Sequence, residues 1–156
     1  MKRIVLLIFL SFQFIGRSTE ILIPMDVTQT NHLKAYGLAY WALERDVVIE
    51  WLLNYRGGSF MLPHAKAIEE ELLIRGIRYE LLTDGQANNI RNQIANPEVN
   101  QEIVQLEKPP KIAVYTPKSA LPWDDAVTMA LDYAEIPYDK IYDSAIVMGI
   151  LPKYDW

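Results

Sequence analysis

The chain contains no cysteine. That removes a thiol nucleophile, a disulfide framework and any Cys-based zinc site from its 156 residues. It assigns no compartment, because an exported protein need not carry disulfides. Histidine is scarce too, with only His32 and His64. Each follows a predicted strand, and with Asp26 or Asp84 they make a candidate set of imidazole and carboxylate metal ligands. Their spacing matches no metal motif, so solvated histidines are the expectation, and no metal or other cofactor is expected. Positive charge is the third shortage. Fifteen Lys and Arg face twenty Asp and Glu, a formal charge of −5. The first eighteen residues hold Lys2, Arg3 and Arg17 and no acid, so the remainder stands at −8. A protein that tracks nucleic-acid phosphates needs a basic face, which argues against nucleic acid as a partner.

Long apolar runs are few. Ile4–Ile15 follows Lys2 and Arg3 and precedes Gly16-Arg17-Ser18. A positive start, a short apolar stretch and small residues two apart make the pattern of a secretory signal. The run is too short for a comfortable membrane span. Residues 1–18 are therefore expected to be a signal peptide, with a buried first strand or an uncleaved anchor as the competing readings. Residues 19–156 are then an exported domain, periplasmic or extracellular, with no stable membrane span. What the chain has in quantity is apolar side chains, 51% of residues, with four Trp and nine Tyr. That is enough for a packed core, and the length suits one domain.

The organising stretch is Lys111–Asp143. Ile112–Tyr115 is a short apolar strand, and Thr116–Trp123 is a loop with Pro117 and Pro122. Asp124–Glu135 is a predicted helix and Tyr138–Tyr142 a second strand. Strand, crossover helix and strand favour parallel pairing. The first half has the same order. Ile21–Met25 is a strand, and a helix from about Asn31, capped by Thr30 or Asn31, carries apolar side chains at near-helical spacing to Arg45. Gly37 inside it would permit close packing against the sheet. Val47–Tyr55 is the second strand. Ala65–Arg75 is a helix closed by Gly76, and Glu69, Glu70 and Glu71 read as its solvated face. Ile77–Leu82 is the third strand, and Gln86–Ala95 a short helix. Asn96–Pro110 is a connection, and whether Ile103–Leu106 adds a strand is open. The expected fold is α/β: three-layer, Rossmann-like, a mostly parallel sheet with helices on both faces.

In such a sheet, sites lie in the loops at the carboxyl ends of the strands. Arg56, Gly57, Gly58 and Ser59 break the second strand. Glycines let backbone N–H groups converge on an anion, and Arg supplies a fork of donors. An ordinary strand-exit turn needing positive φ explains the same residues. Lys118 sits on the equivalent loop of the second half and would join them. Asp26, Thr28, Gln29 and Asn31 form a third rim loop, whose side chains suit a small polar ligand or equally a helix cap and an Asx turn. Asp124 and Asp125 are adjacent on a helix and diverge by roughly 100°, so they favour the helix dipole over acid/base chemistry. Trp123 reads as a hydrophobic staple.

Three segments together, ILIPMDVTQTNHLKAYGLAYWAL, WLLNYRGGSFMLP and KIAVYTPKSALPWDDAVTMALDYAEIPYDKIYD, resemble a family of exported bacterial proteins commonly labelled asparagine synthetase B. The resemblance covers essentially all of residues 19–156. It implies that the chain is the amino-terminal part of a longer protein whose later part is similar to the class I glutamine amidotransferase fold. A glutamine-dependent asparagine synthetase has a catalytic Cys directly after Met, where this chain has Lys2. Such enzymes also carry a Ser-Gly-Gly-x-Asp-Ser loop, and Arg56-Gly57-Gly58-Ser59 lacks its Asp-Ser. A class I amidotransferase needs a Cys on a strand-to-helix elbow. No catalytic residue of either kind can be carried onto this chain. The expectation is the front part of an amidotransferase-like protein, any amide chemistry belonging to the full-length product and the rest of that chain being its partner. The alternative is a non-catalytic ligand-binding or interaction module of the cell envelope, taking a small polar or anionic ligand.

Overall fold

The structure, a computed structural model, describes residues 19–116, 119 and 125–156. The expected signal peptide, Lys118, Trp123 and Asp124 lie outside the described residues. In chain order the elements are β1 (Glu20–Ile23), α1 (His32–Leu43), β2 (Ile49–Leu53), β3 (Ser59–Pro63), α2 (Lys66–Ile74), β4 (Glu80–Leu82), α3 (Asp84–Ile94) and β5 (Glu102–Leu106). Then follow β6 (Ala113–Tyr115), α4 (Ala126–Ala134), β7 (Asp139–Ile141), α5 (Asp143–Val147) and a 3₁₀ turn, Leu151–Lys153.

The first five strands form one sheet in the order β4-β1-β3-β2-β5, and every pairing in it is antiparallel. This overturns the mostly parallel Rossmann-like expectation. The cause is local. Arg56–Ser59 is not a strand-to-helix loop but a hairpin turn, and it launches the unforeseen strand β3. Asn54, Arg56, Gly57 and Gly58 all have positive φ (59°, 46°, 84° and 89°). The N–H groups of Gly58 and Ser59 both bond the carbonyl of Tyr55. β3 then inserts between β1 and β2. Those two strands do run in one direction, as an α1 crossover requires, but they are not neighbours. The order β-α-β-β-α-β with spatial sequence 4-1-3-2 is the split βαβ, or ferredoxin-like, arrangement. α3 and β5 are added to it.

Strand alternation divides the core between two faces. Ile21, Ile23, Ile49, Phe60 and Leu62 pack with Ala35, Leu38, Ala42 and Leu43 of α1 and Ile68 and Leu72 of α2. Leu22, Leu52 and Met61 point the other way and pack with Ala87 and Ile94 of α3. Full burial of each large aliphatic chain contributes about 1.5–3 kcal/mol. α3 starts with a capping box, Thr83 and Gln86 satisfying each other's backbone N–H groups. The open question at Ile103–Leu106 resolves into β5, paired with β2 from Ile49↔Leu106 to Leu53↔Glu102.

Residues 111–143 do form a parallel unit. β6 and β7 pair as Ala113↔Asp139, Val114↔Lys140 and Tyr115↔Ile141, with α4 as crossover. Asp125 caps α4 by accepting from Val127 N at 2.9 Å and Thr128 N at 3.3 Å. At the other edge of β6, Ala113 N–H bonds Trp156 O at 2.8 Å and Trp156 N–H bonds Lys111 O at 3.4 Å. That is the bonding pattern of a parallel pair between Ile112 and Trp156.

The parallel unit docks on α1, not on the sheet. Gly37 faces α4, where a Cβ would lie 1.7 Å from the Ala134 carbonyl oxygen. This corrects the expectation that Gly37 packs on strands. Polar contacts ring the approach. Lys34 and Arg75 reach the Glu135 carboxylate at 2.6 and 3.0 Å. Asn31 donates to the Tyr133 hydroxyl at 2.7 Å, and Tyr40 donates to Pro110 O at 3.1 Å.

Candidate functional site

The rim residues come together, but as a structural knot. Arg56 Nε meets Asp26 Oδ2 at 2.7 Å, and its Nη1 meets Glu80 Oε1 at 2.8 Å. Asp26 also accepts from the Thr28 hydroxyl at 2.5 Å and Thr28 N at 2.9 Å. Thr28 first, then Arg56, hold the Asp26 carboxyl far below the usual carboxylate range. Burial pulls the Arg56 guanidinium down, and its hydrogen bonds to Asp26 and Glu80 more than offset that, leaving it raised. Gly57 packs on the chain just after β1, where a Cβ would lie 2.3 Å from Met25 O. The Ser59 hydroxyl donates to Arg56 O at 3.2 Å. An anion arriving here would have to displace two carboxylates from Arg56 and would meet N–H groups of Gly58 and Ser59 already bonded to Tyr55.

Gln29 is buried and ties two connections together. Its amide donates to Pro24 O at 2.8 Å and Arg78 O at 3.1 Å, and its carbonyl accepts from Arg78 N at 3.0 Å and Thr30 N at 3.0 Å. Asn31 caps α1 through Lys34 N. The histidines are engaged separately. His32 Nε2 sits 3.1 Å from Met25 O, and His64 Nε2 lies 2.9 Å from Glu69 Oε2. Among the described residues no three His, Cys, Asp or Glu side chains cluster as metal ligands. Hydrogen bonds from His64 and then Tyr79 lower Glu69 below its ordinary value. On the opposite face, Arg91 bridges Glu20 at 2.8 Å and Glu50 at 3.0 Å, fastening α3 to β1 and β2.

The concave site lies elsewhere, between α1, the β2–β3–β5 face and the parallel unit. It is a cleft of about 390 Å³, within the range of small-ligand sites. Tyr36, Ala39, Tyr40 and Leu43 of α1 form one wall, one helical turn apart. Trp51 and Phe60 form the floor. They are cross-strand partners, with ring centroids 6.3 Å apart, and Tyr36 meets Phe60 edge-on at 5.6 Å. Leu106, Lys108 and Pro110 close one side, and Ile112, Ile136 and Trp156 come from the parallel unit. Trp51 donates its indole N–H to Gly58 O at 3.1 Å, so the hairpin turn orients the floor. Burial first, then the Glu44 charge, raise the Tyr40 hydroxyl above its ordinary value. None of the sequence-predicted site residues among the described residues lines this cleft. The near-helical Tyr36/Tyr40 spacing was visible in the sequence, but nothing local joined it to Trp51 and Phe60.

No family model, curated protein or solved structure matches the chain. The geometry of the cleft is therefore the ground on which a function is argued. No helix among the described residues is long and apolar enough to cross a membrane.

Proposed function

We propose that this chain is a non-catalytic ligand-binding module of the bacterial cell envelope, and that the aromatic cleft is its site. The observation that carries the reading is the cleft itself: a concavity of ligand size, walled by Tyr36, Trp51 and Phe60, whose rings already sit in fixed contact. Rigid aromatic walls lose little entropy on binding and offer large apolar area. The charged groups of the rim, by contrast, are consumed in internal pairs. The test is a fluorescence titration with phenylnaphthylamine, a neutral apolar probe. Saturable binding is expected, with tryptophan-to-probe energy transfer that is reduced in Trp51→Phe, and with affinity reduced in Tyr36→Ala. Binding that is absent, or indifferent to Tyr36→Ala, refutes the reading.

A second reading is favoured by one specific observation. Ile112, just before β6, makes a parallel bridge to Trp156 on the edge away from β7. Parallel strands with helix crossovers are what the asparagine synthetase B resemblance implies for a longer amidotransferase-like protein. The parallel β6–β7 pair with its α4 crossover supports this reading, and the antiparallel five-stranded sheet does not. On this reading the chain is the amino-terminal part of such a protein, and it lacks the catalytic residues. The isolated 156-residue chain should release no ammonia from glutamine. Glutaminase activity in it would sink this reading, as would a longer gene product that carries no Cys on a strand-to-helix elbow.

A further inference from the structure

The polar groups of the cleft select the class of ligand. Tyr40 and Trp51 spend their donors on Pro110 and Gly58. Lys108 is the one charged residue in the lining. Its ammonium makes no ion pair or hydrogen bond among the described residues, and the Tyr36 hydroxyl makes no hydrogen bond among them. Glu44, the acid that acts on Tyr40, lies 4.0 Å from Arg45. The cleft therefore presents an apolar aromatic interior with one cationic side chain, exposed and unpaired among the described residues, in its lining. We propose that it binds small amphipathic anions: an aromatic or aliphatic body that fills the space over Trp51 and Phe60, with a carboxylate or sulfonate against Lys108 and Tyr36.

The inference rests on the cleft being a binding site, and the physical reason is additive. Apolar burial supplies affinity without regard to charge. A charge-assisted hydrogen bond from Lys108, strengthened next to low-dielectric walls, adds preference for the anion. Because Lys108 is exposed, the gain is that of a partly screened pair and not of a buried one.

Two probes separate the terms: anilinonaphthalene sulfonate and phenylnaphthylamine share a skeleton and differ in the sulfonate. Both are titrated against the intact chain and against Lys108→Met, which keeps the apolar stem and removes the charge. The expected result is that the sulfonate binds about two- to fivefold more tightly than the neutral probe. Lys108→Met should abolish that advantage and leave the neutral probe unchanged. Lys108→Glu should reverse the order. Raising the salt concentration should weaken only the anionic probe. Equal affinity of the two probes in the unaltered chain, or a sulfonate advantage that survives Lys108→Met, overturns the anion selectivity while leaving the cleft reading intact. Failure of both probes to bind overturns both.

Discussion

Replacing Gly37 by alanine tests how the two parts of the molecule are held together. The added methyl carbon would lie 1.7 Å from the Ala134 carbonyl oxygen and 2.8 Å from its carbon. Ordinary contact needs about 3.5 Å. The obstacle is backbone and cannot rotate aside, so α4 must retreat by roughly 1.5–2 Å. That retreat stretches Lys34–Glu135 and Arg75–Glu135, now 2.6 and 3.0 Å, and the 2.7 Å Asn31–Tyr133 bond. Overpacking costs about 1–3 kcal/mol. Each ion pair to the half-exposed Glu135 adds about 0–1 kcal/mol. Against this, alanine is about 0.8–1 kcal/mol better than glycine inside a helix. The net expectation is a loss of about 1–3 kcal/mol, lowering Tm by about 2–4 °C per kcal/mol. Chemical denaturation measures the size, and hydrogen exchange measures the place. Amides of 126–141 should lose protection, while β1, β2 and β3 keep theirs. Helix propensity alone predicts the opposite sign. A Gly37→Ala chain that is equally or more stable, with α4 protection unchanged, would refute the close approach.

Three further outcomes follow from the same contacts. Gln29→Ala strands the amide and carbonyl partners at Pro24, Thr30 and Arg78, and should cost about 2–4 kcal/mol in urea denaturation without changing probe binding in the cleft. Asp26 is held below its unfolded value, so its contribution is present above about pH 4 and is lost as pH falls towards the folded value. Stability measured from about pH 5 to pH 2 should therefore fall less steeply in Asp26→Asn than in the unaltered chain. Thr83→Ala removes one half of the α3 capping box and should cost about 1 kcal/mol, with Thr83→Ser restoring most of it.

Much of the secondary structure was legible because it is written locally. Asn31, Asp125 and the Thr83/Gln86 pair announce helix starts through side chains that satisfy free N–H groups. Gly76, at φ 66°, marks the end of α2. The parallel β6–α4–β7 unit was legible for the same reason, its two strands being joined by a single crossover. The hairpin was not. Arg56-Gly57-Gly58-Ser59 reads equally as a strand exit and as a reversal. The choice depends on backbone angles, Arg56 having φ 46° while its side chain pairs with Asp26 and Glu80, which are distant in sequence. One missed reversal added β3 and turned an expected parallel sheet into an antiparallel one. The rim loops depend on distant partners in the same way. Asp26 and Arg56 pair with each other, while Gln29 bonds the backbone of Pro24 and Arg78 and Asn31 bonds Lys34 N and Tyr133.

The sequence by itself determined the absence of thiol chemistry in these residues, the net negative charge, the approximate places of α1 to α4, and the direction of strands linked by one crossover. These depend on composition or on residues within a turn or two of each other. Tertiary structure alone decided which strands are neighbours, which face each side chain buries, and where the concave surface lies. The cleft joins Tyr36, Trp51, Phe60, Lys108 and Ile136. No periodicity spans such separations, because they meet only after β3 has inserted beside β1 and α4 has closed on Gly37.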